Sequence, residues 1–136
     1  MTGPILVVED DDVLVRTIVR NLAARGYTTR SASNVADAIQ VIHEELPSLV
    51  LLDIDLPDGP GWDVARELRR LTDRSAPIIV VSALKPNQRL AGELRCAAVL
   101  EKPFPMESLL RLVAGALGRS TGERSHEAVA QREVAE

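Results

Sequence analysis

The chain has 136 residues, of which 46% are apolar and 26% charged, and its formal net charge is −4. That length and composition fit one globular domain with a core of its own. The acidic balance, and an aromatic set limited to Tyr27, Trp62 and Phe104, argue against a nucleic-acid reader built on basic stripes and stacking platforms.

Short apolar runs alternate with helical patterns along the chain, the signature of βαβ units and a mostly parallel sheet. Residues 4–9 are predicted as the first strand. Asp11 or Asp12 then caps a helix with Val15, Ile18, Val19 and Leu22 on its apolar face, and Arg25-Gly26 stops it. Residues 27–32 make a weaker strand, and Ser33 or Asn34 caps a second helix through Val35, Ala38, Ile39 and Ile42 to Glu45. Pro47 precedes a strongly apolar strand at 48–53. The stretch 55–61, with Pro57, Gly59, Pro60 and Gly61, reads as loop. A third helix is expected from Trp62 to Leu71 with Val64, Ala65 and Leu68 inward. A fourth strand follows at 77–82, a fourth helix at 86–95 and a short fifth strand at 97–101. Lys102-Pro103-Phe104-Pro105 turns the chain into a last helix, Met106 to Leu117, buried through Leu109, Leu112, Val113 and Leu117. The pattern is five βα repeats, an α/β fold. Residues 1–118 are expected to form the domain, and the polar stretch 119–136 a C-terminal tail, flexible or partly helical.

Four of these strands end in chemistry. Ile5-Leu6-Val7-Val8 runs into Glu9-Asp10, Leu49-Val50-Leu51-Leu52 into Asp53, Ile78-Ile79-Val80-Val81 into Ser82, and Ala98-Val99-Leu100-Glu101 into Lys102-Pro103. In an open parallel sheet all those ends lie at one edge, where ligands bind. Glu9, Asp10 and Asp53 converge there if the first and third strands are neighbours. Like charges so close repel unless a cation sits among them. Oxygen-only ligation suits Mg²⁺, which takes one or two carboxylates and phosphate oxygens. Asp10 and Asp53 are expected to bind it directly and Glu9 through a water, with a backbone carbonyl from the loop after Asp53 as a further ligand. Asp53 ends the most buried strand and is the expected nucleophile, since carboxylates form aspartyl phosphates. Lys102 is expected to meet one phosphoryl oxygen and the Ser82 hydroxyl another. Lysine suits that task as a compact ammonium, and it is scarce here: of 16 basic residues only Lys85 and Lys102 are lysines.

The motifs Ile-Leu-Val-Val-Glu-Asp-Asp at 5–11, Leu-Val-Leu-Leu-Asp-Ile-Asp-Leu-Pro-Asp-Gly-Pro-Gly at 49–61, Val-Val-Ser-Ala at 80–83 and Glu-Lys-Pro-Phe at 101–104 together resemble the response-regulator receiver domain, the CheY-like family of two-component signalling. The resemblance covers about residues 4–118. It implies a doubly wound five-stranded parallel sheet of order 2-1-3-4-5. It also implies Asp53 as phospho-acceptor, Glu9 and Asp10 as the acidic metal pair, and Asp55 as the backbone-carbonyl ligand. Ser82 is then the switch hydroxyl, Lys102 the phosphate-contacting lysine, and the Lys102-Pro103 bond cis. The expected donor is a histidine kinase or histidine phosphotransfer protein. The expected output is protein contact through the face of the fourth helix, fifth strand and fifth helix, by a monomer or weak dimer, with no direct nucleic-acid or membrane contact.

Two positions depart from the family pattern. Val99 stands where a Tyr or Phe often precedes the lysine by three residues, so the ring that would turn inward is missing, and the stretch from Ser82 to Lys102 is slightly short. Asp55 puts a carboxylate where an amide or apolar side chain is common, which is expected to alter the lifetime of a phosphorylated state. Trp62 reads as a helix-start packing residue, Cys96 as a small buried filler, and His43 and His126 as surface residues. The lone Cys96, the absence of a roughly 20-residue apolar span and an N-terminus that enters a strand at once point to a cytoplasmic protein.

Other readings fare worse. Asp53-Ile54-Asp55 copies the nucleophile and general-acid spacing of a haloacid-dehalogenase-type phosphatase, but there the acidic pair follows the lysine and here it comes first. An EF-hand beginning at Asp53 fails at its twelfth position, Val64, where glutamate is required. A phosphorylation-independent docking module is the remaining alternative. On balance the chain is expected to be a phospho-accepting switch, modifying itself and turning over no foreign substrate.

Overall fold

Five apolar runs pair side by side as parallel strands in a computed structural model that describes residues 3–72 and 76–118. They are β1 (Ile5–Val8), β2 (Thr29–Ala32), β3 (Leu49–Asp53), β4 (Ile78–Ser82) and β5 (Ala98–Glu101). Their order across the sheet is β2-β1-β3-β4-β5, the doubly wound arrangement expected. Between them run α1 (Asp12–Ala24), α2 (Val35–Glu44), α3 (Trp62–Leu71) and α4 (Gln88–Glu93), with α5 (Met106–Leu117) at the end.

The central strands are continuously apolar because helices cover both faces. Alternate residues serve different layers. Leu6, Val8, Val50, Leu52, Ile78 and Val80 pack toward α2, α3 and α4, together with Ile42, Val64 and Leu68. Ile5, Val7, Leu49, Leu51, Ile79 and Val81 pack toward α1 and α5, with Ile18, Leu22, Leu109 and Val113. Each such side chain, fully buried, contributes roughly 1.5–3 kcal/mol.

Caps decide the helix starts. The Asp11 carboxylate accepts from the Val13 and Leu14 amides, and Asn34, not Ser33, caps α2 by accepting from the Asp37 amide. Gly26, at φ 88°, stops α1 in a backbone conformation that glycine reaches without strain.

Several boundaries differ from expectation. The stretch 55–61 is not all loop: Asp55–Leu56 and Gly59–Pro60 form a small antiparallel ladder, with Asp55 opposite Pro60 and Leu56 opposite Gly59. The fourth helix is shorter than the predicted 86–95, because Asn87 caps it through the Leu90 amide and Arg95 adopts a left-handed φ of 55° just past its end. Strand β2 begins at Thr29 and not at Tyr27. Leu117 is half-buried. The predicted tail and His126 lie outside the described residues.

Candidate functional site

Strand register brings the reactive side chains together. The β1–β3 ladder ends at Val8 opposite Leu52, so Glu9 and Asp53 come one step later, side by side. Asp53 pairs with Val81 on β4, and Ser82 pairs with Glu101 on β5, leaving Lys102 immediately beyond. Glu9 continues the alternation of Ile5 and Val7, and Asp53 that of Leu49 and Leu51, so both project on the α1/α5 side of the sheet. Ser82 continues the alternation of Ile78 and Val80 and projects on the other side.

Glu9 and Asp53 are each 3% exposed, whereas Asp10 is exposed. Their carboxylate oxygens, one from each residue, lie within 4.8 Å of one another. Lys102 Nζ donates to Asp53 Oδ2 at 3.3 Å and sits 2.8 Å from Glu9 Oε1. Glu9 Oε2 accepts from the Asp11 amide at 3.1 Å, and Asp53 Oδ1 from the Asp55 amide at 3.0 Å. Burial pushes the Glu9 carboxyl above its ordinary range, and neither the Lys102 ammonium nor the Asp11 amide fully offsets it. For Lys102, burial alone would lower the pKa, but the Glu9 hydrogen bond and the two carboxylate charges outweigh it and raise the ammonium's pKa. Three acids facing one ammonium leave an excess of negative charge, and the donor set is all oxygen. Those residues fit a hard divalent cation such as Mg²⁺.

The Lys102-Pro103 peptide is cis, and the Lys102 amide donates to the Ser82 carbonyl at 2.8 Å. Ser82 Oγ accepts from the Leu84 amide at 3.2 Å. Its side chain lines an open cleft of about 350 Å³ bounded by Asp55, Pro60, Trp62, Leu84 and Lys85. Leu84 is 70% exposed at the rim, and Trp62 is buried at the start of α3. Val99 packs half-buried against the core layer on this same side of the sheet. Cys96 is half-buried, not fully so, and burial raises its thiol to about 11.

The structure therefore gathers Glu9, Asp10, Asp53 and Lys102 into one cluster, with the Asp55 amide on Asp53 and Ser82 at the adjacent strand end. Sequence reasoning missed two residues that hold the hairpin beside Asp53, and one contact between α2 and α3. Gly61 seats the hairpin against β3: its amide donates to the Ile54 carbonyl at 2.7 Å, and a Cβ there would stand 2.1 Å from the Asp53 carbonyl oxygen. Asp58, at the hairpin tip, reaches across to α2 and accepts from the Val35 and Ala36 amides at 2.7 and 3.0 Å. Glu67 on α3 holds both His43 of α2 and Arg70. Of these, Gly61 alone carried a sequence signal, as part of a proline- and glycine-rich turn. Asp58 and the Glu67–His43 contact act between elements, beyond the reach of any local pattern, while Glu67 and Arg70 are an i,i+3 pair within α3.

The family model for the response regulator receiver domain matches residues 5–114. The response regulator MprA of Mycobacterium tuberculosis is 33% identical over 134 residues, 97% of this chain but 58% of its own length, so the chain spans little more than half of that relative. Among solved structures, the non-phosphorylated HemR receiver domain from Leptospira biflexa superposes with a TM-score of 0.79 at 29% identity, covering 87% of this chain and 96% of its own. A response regulator protein from Burkholderia pseudomallei, holding a phosphorylated aspartic acid, a calcium ion and citrate, gives a TM-score of 0.75 at 26% identity over 96% of this chain and 74% of its own. Among the described residues no helix is long and apolar enough to cross a membrane. With its five-stranded sheet, its acid cluster and its lysine at one edge, this chain belongs to the response regulator receiver family.

Proposed function

We propose that the chain is a phospho-accepting switch of a two-component phosphorelay, with Asp53 as the phosphorylated residue. The observation that carries this reading is the Lys102 ammonium within 3.3 Å of an almost fully buried Asp53 that shares its pocket with two further carboxylates. Asp10, Asp53 and the Asp55 carbonyl would hold Mg²⁺, and Glu9 would act through a water. When bound, the cation supplies the positive charge that lets a carboxylate and a phosphoryl group approach.

In the transfer, one Asp53 oxygen attacks the phosphorus of a phosphohistidine. The O–P bond forms as the P–N bond breaks, and the electron pair returns to the imidazole nitrogen. Lys102 turns from the carboxylates toward a phosphoryl oxygen. The Ser82 hydroxyl donates a hydrogen bond to another and releases the Leu84 amide, which shifts the population of the β4–α4 connection. The donor is a histidine kinase or a histidine phosphotransfer protein, and the readout is protein contact through α4, β5 and α5. No nucleic acid or membrane is contacted by this domain, which spans 1–118 and acts in the cytoplasm. Receiver domains are signalling switches and not turnover enzymes, and only self-phosphorylation and self-dephosphorylation are expected of this one.

Val99 favours a second reading, in which the domain docks without phosphorylation, because no aromatic ring is present there to couple Ser82 to the output face. Incubation with Mg²⁺ and acetyl phosphate, followed by intact mass measurement, separates the two. The switch requires a gain of one phosphoryl mass that Asp53→Ala abolishes. No gain with any small donor or kinase supports docking alone.

A further inference from the structure

We infer that Asp58 is a positioning residue for the metal site, acting at a distance by clipping the hairpin that presents the Asp55 carbonyl to the tip of α2. The inference rests on the reading of Asp55 as a carbonyl ligand and deepens it.

The hairpin explains why Asp55 is suited to that role. Asp55 stands opposite Pro60, which has no N–H to give. The closing bond, from the Gly61 amide to the Ile54 carbonyl, lies one residue outside that pair. Asp55 and Pro60 are therefore a non-hydrogen-bonded pair of the antiparallel ladder, whose own amides and carbonyls face away from the partner strand. The outward side is marked by the Asp55 amide, which donates to Asp53 Oδ1 at 3.0 Å. In an extended residue the N–H and C=O lie along the same edge, so the Asp55 carbonyl is turned to the side of the acid cluster.

Holding it there requires a hairpin that does not rock. Its base is fixed by Gly61, where any side chain would strike the Asp53 and Ile54 backbone. Its middle is fixed by Leu56, which is buried. Its tip, Pro57-Asp58, is exposed and bears few apolar atoms to anchor it. The tie at the tip is the Asp58 carboxylate, one oxygen on each of the first two amides of α2, and these bonds hold the Asp58 carboxyl below its ordinary range. Asn34 satisfies the Asp37 amide of α2 independently. The same helix end thus has two caps, and only one of them also holds the hairpin.

That division gives the test. Mg²⁺ affinity is measured by titration calorimetry, and thermal stability in metal-free buffer, for wild type, Asp58→Ala, Asp58→Asn and Asn34→Ala. Asp58→Ala is expected to weaken Mg²⁺ binding roughly tenfold, the scale seen when a group that orients a metal ligand is lost. Asp58→Asn keeps one acceptor oxygen and falls between. Asn34→Ala lowers the melting temperature through α2 but leaves Mg²⁺ affinity at the wild-type value. Equal Mg²⁺ affinity in Asp58→Ala and wild type overturns the inference, as does an equal loss in Asn34→Ala, which would make the effect one of helix capping alone. A wild type that binds no Mg²⁺ overturns the metal-site reading itself and this inference with it.

Discussion

At the scale of single residues, Lys102 is the ammonium that faces the two buried carboxyl groups, 2.8 Å from Glu9 Oε1 and 3.3 Å from Asp53 Oδ2. Removing one partner of a fully buried ion pair costs about 3–5 kcal/mol, and the lysine side chain is 21% exposed. Lys102→Ala is therefore expected to destabilise the metal-free protein by about 2 kcal/mol in urea melts, below the fully buried range. Saturating Mg²⁺ should recover most of that loss, since a cation supplies the missing charge; a loss that Mg²⁺ leaves untouched would show that the lysine matters through packing instead. Asp55 poses a different question, because its amide serves Asp53 while its carboxylate is exposed on the cleft. A carboxylate there can orient a hydrolytic water, so if Asp53 is phosphorylated as proposed, Asp55→Asn is expected to lengthen the life of the acyl phosphate, by less than the roughly 10²-fold of a full general base. Identical decay in mutant and wild type would remove Asp55 from that role.

Between elements, the contacts that matter most are those no periodicity announces. His43 Nε2 lies 2.5 Å from Glu67 Oε2, and Arg70 grips the same carboxylate at 2.7 Å, so α2 and α3 are joined through one side chain. Arg70 and then His43 hold the Glu67 carboxyl down to about 2, against an ordinary 4.5. A carboxyl depressed in the folded state contributes stability above pH 4.5 that is lost as pH falls toward 2. Glu67→Gln should therefore melt below wild type at pH 7, and the two should converge when the melts are repeated between pH 4.5 and 2. A gap that persists at the acid end would assign the effect to something other than charge. The sequence revealed each of these helices through apolar spacing, yet not this junction, which pairs residues 24 apart. The hairpin at Asp55–Pro60 escaped for a related reason: two prolines and two glycines signal a turn, while a ladder of two residues per strand carries no alternation to read. The end of α4 is not legible because nothing in Leu94-Arg95-Cys96 announces a left-handed arginine.

Across the whole molecule, the sheet divides the interior into two layers that share strands but not helices. Leu68 of α3 belongs to one layer and Leu109 of α5 to the other, and both are fully buried. Leu68→Ala and Leu109→Ala should each cost about 2–5 kcal/mol, and in the double mutant the losses should add to within about 0.5 kcal/mol. Strong non-additivity in urea melts would mean that the layers yield to each other through the sheet. The strands were legible from sequence because continuous apolar runs mark doubly covered strands, and four of the runs led into their polar residues, whereas the order across the sheet came only from the family resemblance. The face from which each polar residue projects was not legible, since a one-residue change in where a strand begins reverses it. For Ser82 that placement has a mechanical consequence. Its side-chain oxygen restrains Leu84 while its carbonyl restrains Lys102, so one residue is hinged to two connections. Rotation of its hydroxyl leaves an amide wanting an acceptor, at a cost of about 1 kcal/mol. That cost is a bias of about fivefold in population and no latch: the exposed leucine already samples its released positions, and a ligand that takes the hydroxyl tilts the balance toward them.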